Sequence, residues 1–206
     1  MLLDPNDYGF TNRLGDGFEV FRSELAGLAR GDFLVWPDRG AYGGEWLVLP
    51  LFMSSHYPGI EGCFAANQAK CPATTAFLRA IPGVTAAAFS WQEPGCHIYP
   101  HRDVKAIDVL RAHVALEVPP GPRMRVGPDV HGWQAGEVLL FEGYVEHETG
   151  NPAGRRRVVL LVDAQVAPAE FGRLQVWRDE HGIAVDPALV LADPFARAVA
   201  RPAGGP

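Results

Sequence analysis

The chain has 206 residues and a formal net charge of -6, and apolar and charged residues make up 48% and 20% of it. These values are typical of a globular protein, and the length favours a single domain over residues 1–206. The negative charge disfavours a nucleic-acid partner, because binding to phosphates relies on Lys and Arg, and no apolar run is long enough to span a membrane.

The first predicted element is a helix over Gly17–Ala29, where apolar residues recur at helical spacing, and a second helix is predicted over Ala73–Ala80. Near the C-terminus, Pro168–Arg178 and Pro194–Ala200 are candidate helices. The other predicted elements are short strands separated by Gly and Pro turns. In chain order they are Trp46–Met53, Thr85–Trp91, His97–Pro100, Arg111–Val118, Met124–Val126, Glu137–Phe141 and Arg157–Ala164.

This pattern predicts the class of fold. Short strands with a turn signal about every ten residues are typical of β-sandwiches and barrels. The apolar run Val158–Val162 indicates a strand that is buried on both faces. We therefore expect a mainly β fold, an antiparallel jelly-roll of the cupin-like kind, with α-helices packed outside it. Its core should span about residues 46–165.

The cysteines and the N-terminal residues indicate the cellular compartment in which the protein is expected. Cys63, Cys71 and Cys96 form no C-x-x-C pair, which indicates neither a disulfide framework nor a structural zinc site. The first residues lack the basic segment and apolar run of a signal peptide. We therefore expect a reducing, cytoplasmic location.

Three residues form a candidate metal site. His101 and Asp103 are two residues apart, so in an extended strand their side chains point to the same face, and His147 follows downstream. Two imidazoles and one carboxylate leave three coordination positions of a metal free. This donor set is typical of non-heme Fe(II) oxygenases, in which two open positions take a 2-oxoacid and one takes dioxygen.

Arg157 is a candidate for holding the far carboxylate of 2-oxoglutarate. It opens the buried strand that follows His147, where an unpaired cation would be unfavourable. The planar guanidinium can bind a carboxylate through two parallel hydrogen bonds. An anionic ligand is therefore a suitable partner.

Each feature is weak alone, since H-x-D pairs occur by chance and an arginine pair such as Arg155–Arg156 is usually solvated. The ordered combination of H-x-D, a distant His and an Arg before a β-run is much rarer. We assign His131 and Trp133 to a structural turn or strand edge. His56–Tyr57, in a predicted loop, is a candidate for lining the substrate entrance.

The local sequence also has a recognisable form. Pro94–His101 reads P-G-C-H-I-Y-P-H, Leu110–Leu116 reads L-R-A-H-V-A-L, and Arg157–Asp163 reads R-V-V-L-L-V-D. Together with Glu137–Glu148, these stretches resemble segments of the aspartyl/asparaginyl β-hydroxylase family: P-G-[ST]-H-[IV]-x-P-H, L-R-x-H-L-G-L, R-[LV]-x-[LF]-[IL]-[VL]-D and G-[KE]-x-L-[IV]-F-D-D-x-x-E-H-E. With Trp46, the resemblance extends to about residue 163.

The resemblance implies a double-stranded β-helix and a hydroxylation coupled to decarboxylation of 2-oxoglutarate, with O2 consumed and succinate and CO2 released. It implies that His101 and His147 bind Fe(II). Arg157 and Ser90 match the pair that holds the distal carboxylate of 2-oxoglutarate. The residues that match positions near its other end are His113 and Trp46.

The resemblance also bears on the substrate. Arg111 matches an arginine that meets the acidic side chain of the substrate, and Arg39 is an out-of-register candidate for a second one. Asp103 stands at a position where animal members of the family have glycine. In having a carboxylate there, and so a complete triad, the chain resembles compact bacterial members, including proline hydroxylases. The expected substrate is an amino acid, free or tethered to a carrier or peptide. An aspartate- or asparagine-like group is favoured, and proline or another amino acid remains open.

Two other functions remain open from the residues. The first is a cupin-like zinc or manganese enzyme without redox chemistry, which would not need a clamp made of Arg157 and Ser90. The second is a non-catalytic module that binds an anionic small molecule. Such a module would keep Arg111 and Arg157 but would not need Asp103.

Overall fold

The strands of the computed structural model, which describes residues 2–53, 60–103, 109–167 and 169–170, form two antiparallel sheets. The larger sheet has seven strands in the spatial order β1-β10-β7-β12-β5-β4-β2, and the smaller has five in the order β3-β6-β11-β8-β9. In chain order the strands are β1 (Leu2–Leu3), β2 (Leu34–Val35), β3 (Tyr42–Gly43), β4 (Trp46–Phe52), β5 (Val84–Gln92), β6 (His97–His101), β7 (Val109–Glu117), β8 (Arg123–Val126), β9 (Asp129–His131), β10 (Val138–Phe141), β11 (His147–Gly150) and β12 (Arg157–Gln165).

Helices cover the outer face of the larger sheet. They are α1 (Gly9–Asp16), α2 (Phe18–Ala26), α3 (Phe64–Lys70) and α4 (Pro72–Arg79), with short 3-10 turns at Pro5–Asp7, Arg30–Asp32, Arg39–Ala41 and Glu61–Cys63. None of the helices among the described residues has the length and apolar character needed to cross a bilayer.

The main core lies between the helices and the outer face of the larger sheet. Alternate residues of β12, such as Val158 and Leu160, are fully buried there with Phe21 and Leu25 of α2. Because side chains alternate along a strand, the residues between them, beginning with Arg157, point to the inner face. The outer face is therefore apolar, and the inner face is left for polar residues.

The inner face of the larger sheet packs against the smaller sheet. Leu139 and Phe141 of β10 contact Met124 and Val126 of β8 in a second apolar cluster, which also contains Trp133. Two antiparallel sheets face to face, with helices outside, confirm the predicted mainly β jelly-roll architecture.

An irregularity in the smaller sheet positions a histidine. Pairs His147↔His101 and Thr149↔Ile98 join β11 to β6, so three residues of β6 oppose two of β11 there. Without this bulge, Ile98 and His101 would point to opposite faces. The bulge turns His101 toward the same side as buried Ile98.

The seven predicted strands are all present, with their ends shifted by at most two residues, and the first two predicted helices correspond to α2 and α4. Four elements were not predicted: α1, α3, β9 and β11, besides the two-residue strands. The tetrapeptide of β11 is polar and is a strand because β6 and β8 bond it on both sides. The candidate helix Pro194–Ala200 and most of Pro168–Arg178 lie outside the described residues, as does His56–Tyr57.

Candidate metal centre and buried guanidinium

The three predicted ligand residues lie together at one end of the space between the sheets. One potential ligand atom from each of His101, Asp103 and His147 lies within 4.8 Å of the others. His147 on β11 is the cross-strand partner of His101 on β6, and their ring centroids are 4.2 Å apart. Asp103 lies two residues beyond the end of β6, where its backbone N–H donates to the Gly143 carbonyl at 2.8 Å.

Both imidazoles are oriented by a backbone carbonyl two residues earlier in the chain. His101 Nδ1 lies 2.7 Å from Tyr99 O, and His147 Nδ1 lies 2.8 Å from Val145 O. A carbonyl only accepts, so each Nδ1 carries the proton, and in a neutral ring each Nε2 has a free lone pair. Metal-binding histidines are held in this way by a hydrogen bond to the other ring nitrogen.

The two Nε2 atoms face one carboxylate. His101 Nε2 lies 4.0 Å from Asp103 Oδ1, and His147 Nε2 lies 3.6 Å from Asp103 Oδ2. Burial lowers the pKa of His147 to about 4, although Asp103 acts to raise it. His147 is therefore in the neutral form that binds a metal at pH 7. Two imidazole nitrogens and a carboxylate fit a divalent transition metal and leave part of its coordination sphere open.

Arg111 joins this centre to the larger sheet. Its NH1 lies 2.6 Å from Asp103 Oδ2, while Nε and NH2 donate to the two oxygens of Asp163 at 2.8 and 3.0 Å. Burial acts to lower the pKa of Arg111, but the carboxylates of Asp103 and Asp163 outweigh it and raise the pKa. All three nitrogen atoms of Arg111 therefore face carboxylates of the protein itself.

Arg157 lies deep between the sheets, with 1% of its surface exposed. Its NH1 donates to Gln92 Oε1 at 3.3 Å, its NH2 lies 3.5 Å from His113 Nδ1, and its guanidinium carbon lies 3.8 Å from the centre of the Trp133 ring. Burial lowers the pKa of Arg157 to about 9, and Cys96 is the group that acts to raise it. A charge held among an amide, an imidazole and a ring is a potential site for an anion.

Two donors near this cation lack an acceptor among the described residues. They are Arg157 Nε and the indole Nε1 of Trp133, whose residue is 7% exposed. Buried polar groups in proteins are rarely without a partner, so these two donors are available to an anionic ligand. Trp133 follows β9 at the predicted strand edge, and from there its ring packs against the Arg157 guanidinium.

The other predicted cofactor residues line the same inner face. Trp46 Nε1 donates to Ser90 Oγ at 3.0 Å. Register pairs Trp46 with Gln92 and Gln92 with Arg157, and Ser90 lies two residues before Gln92, on the same side of β5. Trp46 is therefore in the same row of the sheet as Arg157, with Gln92 between them, and Ser90 is in the neighbouring row on the same face.

Aromatic contacts connect the guanidinium to the two histidines of the candidate metal site. The His113 ring is 5.2 Å from the Phe141 ring, and the Phe141 ring is 5.0 Å from the His147 ring. His113, which contacts Arg157, is thus one ring away from His147. Arg39 lies on the turn before β3, where it donates to the Tyr42 hydroxyl at 2.6 Å, and the Tyr42 ring meets the Trp46 ring edge-on at 5.5 Å.

Two contacts at the site were not predicted from the sequence. A Cβ atom added to Gly143 would lie 2.9 Å from Asp103 Oδ2, so the absence of a side chain at 143 makes room for that carboxylate. The family pattern quoted above carries aspartate at this position, and this difference was an available signal. Asp163, the last residue of the quoted R-to-D segment, is the partner of Arg111.

Comparisons with known proteins agree with the sequence motifs. A family model described as aspartyl/asparaginyl beta-hydroxylase matches residues 16–166. The ornithine lipid ester-linked acyl 2-hydroxylase of Rhizobium tropici is 44% identical over 100 residues, which are 47% of this chain and 35% of the relative. The aspartyl/asparaginyl beta-hydroxylase of Homo sapiens is 27% identical over 172 residues, 77% of this chain and 22% of the relative. The chain thus spans about a third or less of the length of these relatives.

Solved structures resemble the fold more distantly. A 2OG-Fe(II) oxygenase family oxidoreductase from Burkholderia pseudomallei has a TM-score of 0.46 and 12% identity, with 70% of this chain and 76% of that chain covered. A prolyl-4-hydroxylase from Pseudomonas putida has a TM-score of 0.43 and 22% identity, with 72% and 87% covered.

Proposed function

Because the chain belongs to the aspartyl/asparaginyl β-hydroxylase family, we propose that it is an Fe(II)- and 2-oxoglutarate-dependent dioxygenase that hydroxylates an amino acid or an amino-acid-containing substrate. The observation that carries the proposal is the combination of two features of the inner space. A His-Asp-His donor set lies at one end, and a fully buried guanidinium with an unpartnered Nε lies on the facing sheet. The donor set suits a metal ion, and the guanidinium suits an anionic ligand that lies between it and the metal.

His101, Asp103 and His147 would hold the metal. When bound, Fe(II) supplies the oxidising chemistry that inserts one oxygen atom of O2 into a C–H bond while 2-oxoglutarate is converted to succinate and CO2. The protein orients both imidazoles through their Nδ1–H bonds and keeps His147 neutral by burial.

Arg157 would hold the distal carboxylate of 2-oxoglutarate. An uncompensated cation in the interior is unfavourable, and a carboxylate would pair with it and accept from its Nε. Ser90, fixed by Trp46 Nε1, would offer its hydroxyl to the same carboxylate. The cluster of Gln92, His113 and Trp133 holds the guanidinium in place beforehand, which lowers the cost of ordering it on binding.

The substrate is proposed only by class. The relative from Rhizobium tropici is named for 2-hydroxylation of an acyl group on an ornithine lipid, and the relative from Homo sapiens is named for aspartyl and asparaginyl groups. The substrate panel therefore contains free aspartate, asparagine and proline, a peptide containing aspartate, and an ornithine lipid in detergent micelles.

The test measures succinate formed from 2-oxoglutarate with Fe(II) and each member of the panel. We expect formation that needs Fe(II) and rises with at least one substrate. Arg157→Gln should weaken 2-oxoglutarate binding about a hundredfold, because losing one partner of a buried charge pair costs on the order of 2–5 kcal/mol. Arg156→Gln is the matched control, since Arg156 bonds Glu117 and lies over Trp91 instead.

Two results would contradict the proposal, and each favours one of the other functions. Purification with tightly bound zinc or manganese and no conversion of 2-oxoglutarate would favour a metalloenzyme without redox chemistry. Binding of 2-oxoglutarate with the same affinity in the presence and absence of metal would favour a simple binding module. Unchanged affinity in Arg157→Gln would remove the assigned role of the guanidinium.

A further inference from the structure

Arg111 is engaged with two carboxylates of the protein. It donates to both oxygens of Asp163 through Nε and NH2, and NH1 lies 2.6 Å from Asp103 Oδ2. Asp163 is on β12 and directly opposes Arg111 on β7 in the register of the sheet. The bidentate pair with Asp163 therefore fixes the guanidinium plane on a rigid part of the fold.

Asp103 itself has little support from regular structure, because β6 ends at His101. Three contacts with other described residues restrict it. Its backbone N–H donates to Gly143 O at 2.8 Å, one carboxylate oxygen faces Arg111, and Oδ2 lies so near Gly143 that a Cβ atom added there would be 2.9 Å away. Each contact comes from the larger sheet or from the loop that leads to His147.

From these contacts we propose that Arg111, braced by Asp163, and Gly143 are positioning residues that set the rotamer of the Asp103 carboxylate for metal binding. The inference rests on the proposed metal site and deepens it. It assigns Arg111 to the protein's own ligand set, in place of the substrate-binding role implied by the family resemblance.

Charge and geometry support this assignment. An arginine that receives an acidic substrate needs a free edge, but each nitrogen of Arg111 already lies within 3.0 Å of a carboxylate oxygen. Within the described residues, the carboxylates of Asp103 and Asp163 both lie against the single guanidinium of Arg111. This arrangement disfavours an additional carboxylate from a substrate at Arg111.

The experiment uses the metal alone. Metal-free full-length protein is titrated with Co(II) in the absence of 2-oxoglutarate, and both the dissociation constant and the visible Co(II) spectrum are recorded. We expect Arg111→Gln and Asp163→Asn to weaken Co(II) binding about 10- to 100-fold, as loss of outer partners of metal ligands does. Their spectra should shift toward that of Asp103→Asn.

A double substitution separates positioning from a general loss of stability. If Arg111 acts through Asp103, Arg111→Gln in an Asp103→Asn background should weaken Co(II) binding no further. Arg125→Gln is the matched control, because Arg125 also bonds two carboxylates, Glu146 and Glu148, but makes these bonds away from the metal-binding atoms. Its Co(II) affinity and spectrum should stay at wild-type values.

Gly143→Ala tests the same idea without removing a charge. The added methyl group would meet Asp103 Oδ2 at 2.9 Å, so the variant should bind Co(II) at least tenfold more weakly and show the altered spectrum. Thermal unfolding of each metal-free variant shows whether it is folded. Should Arg111→Gln not fold, Gly143→Ala and Arg111→Lys decide the question, and Arg111→Lys is expected to recover part of the affinity.

Wild-type Co(II) affinity and spectrum in folded Arg111→Gln, or in folded Gly143→Ala, would overturn the inference. If Arg111→Gln instead left Co(II) binding unchanged and raised only the KM for the substrate that undergoes hydroxylation, the substrate-binding role of Arg111 would be correct. A protein that binds Co(II) with this pattern but converts no 2-oxoglutarate would contradict the proposed function and leave the positioning inference standing.

Discussion

The guanidinium carbon of Arg157 lies 3.8 Å from the centre of the Trp133 ring, so the two side chains form a buried cation–π pair. We predict that Trp133→Leu weakens 2-oxoglutarate binding about fivefold to thirtyfold, because a desolvated pair of this kind contributes about 1–2 kcal/mol. Trp133→Phe should lose less, since it keeps an aromatic face. Calorimetry with Mn(II) in place of iron measures both affinities.

The control for this prediction lies on the other face of the sheet. Trp91 packs against Arg156 with the guanidinium carbon 4.1 Å from its ring centre, and it belongs to the core under the helices. Trp91→Phe therefore changes a similar pair outside the pocket, and its 2-oxoglutarate affinity should match that of the wild type. Equal losses in the Trp91 and Trp133 variants would mean that the effect is one of stability.

Removing the buried charge of Arg157 should make the metal-free protein more stable. Burial lowers the pKa of Arg157, which reports an unfavourable environment for its charge in the absence of an anion. We predict that Arg157→Met raises the free energy of unfolding by on the order of 1–3 kcal/mol, because apolar groups commonly replace buried charges without loss. Urea unfolding of the metal-free proteins measures this change.

The same substitution at the preceding residue, Arg156, should instead lower the free energy of unfolding. Arg156 forms a two-bond ion pair with Glu117 at 2.6 and 2.8 Å near the surface, so Arg156→Met removes a favourable contact.

We also predict that 2-oxoglutarate with metal raises the unfolding temperature of the wild type but not of Arg157→Met. A less stable Arg157→Met protein would show that the guanidinium is structural.

Two cysteines should resist alkylation in the folded protein. Burial raises the pKa of the Cys71 thiol to about 12 and that of the Cys96 thiol to about 11. The thiolate is the reactive form, and a pKa raised by about two units lowers its fraction at pH 8 roughly a hundredfold, before access is considered. Iodoacetamide should label neither residue at pH 8, and the rate for Cys96 should rise as the pH approaches 11.

Peptide mass spectrometry checks this prediction, with half-buried Cys63 as an internal comparison. Unfolding in urea should make all three cysteines react at similar rates. Labelling of Cys96 in the folded protein at the rate of a free thiol would show that the space around Arg157 opens to solvent far more than its burial indicates.

Local patterns were sufficient for most of the fold. Apolar alternation and Gly/Pro turns predicted β4, β5, β7 and β12 because each of these strands buries its own regular pattern. The strand β11 escaped prediction because its four residues are polar and it depends on hydrogen bonds to β6 and β8. A pattern within one segment cannot report bonds supplied by two others.

The candidate site divides in the same way. The ligand set of His101, Asp103 and His147 was predicted from residue type, spacing and family motifs, and so was the inward-facing Arg157. Chemistry of this kind depends on which side chains are present, and the sequence states that directly. The two histidines could therefore be predicted as metal ligands without knowledge of any distance between them.

Tertiary structure alone decided which side chains contact Arg111, Arg157 and Asp103. The family resemblance implied a substrate partner for Arg111, whereas its protein partners follow from the pairing of β7 with β12, which puts Asp163 against it, and from the position of Asp103 beside its NH1. The fold likewise brought Trp133 over Arg157 and Gly143 beside Asp103. The pairs Arg111–Asp163, Trp133–Arg157 and Gly143–Asp103 are 52, 24 and 40 residues apart. Their contacts therefore follow from sheet register and packing, and no local pattern encodes them. The candidate triad was therefore determined by the sequence, while the support that orients its carboxylate was decided by the fold.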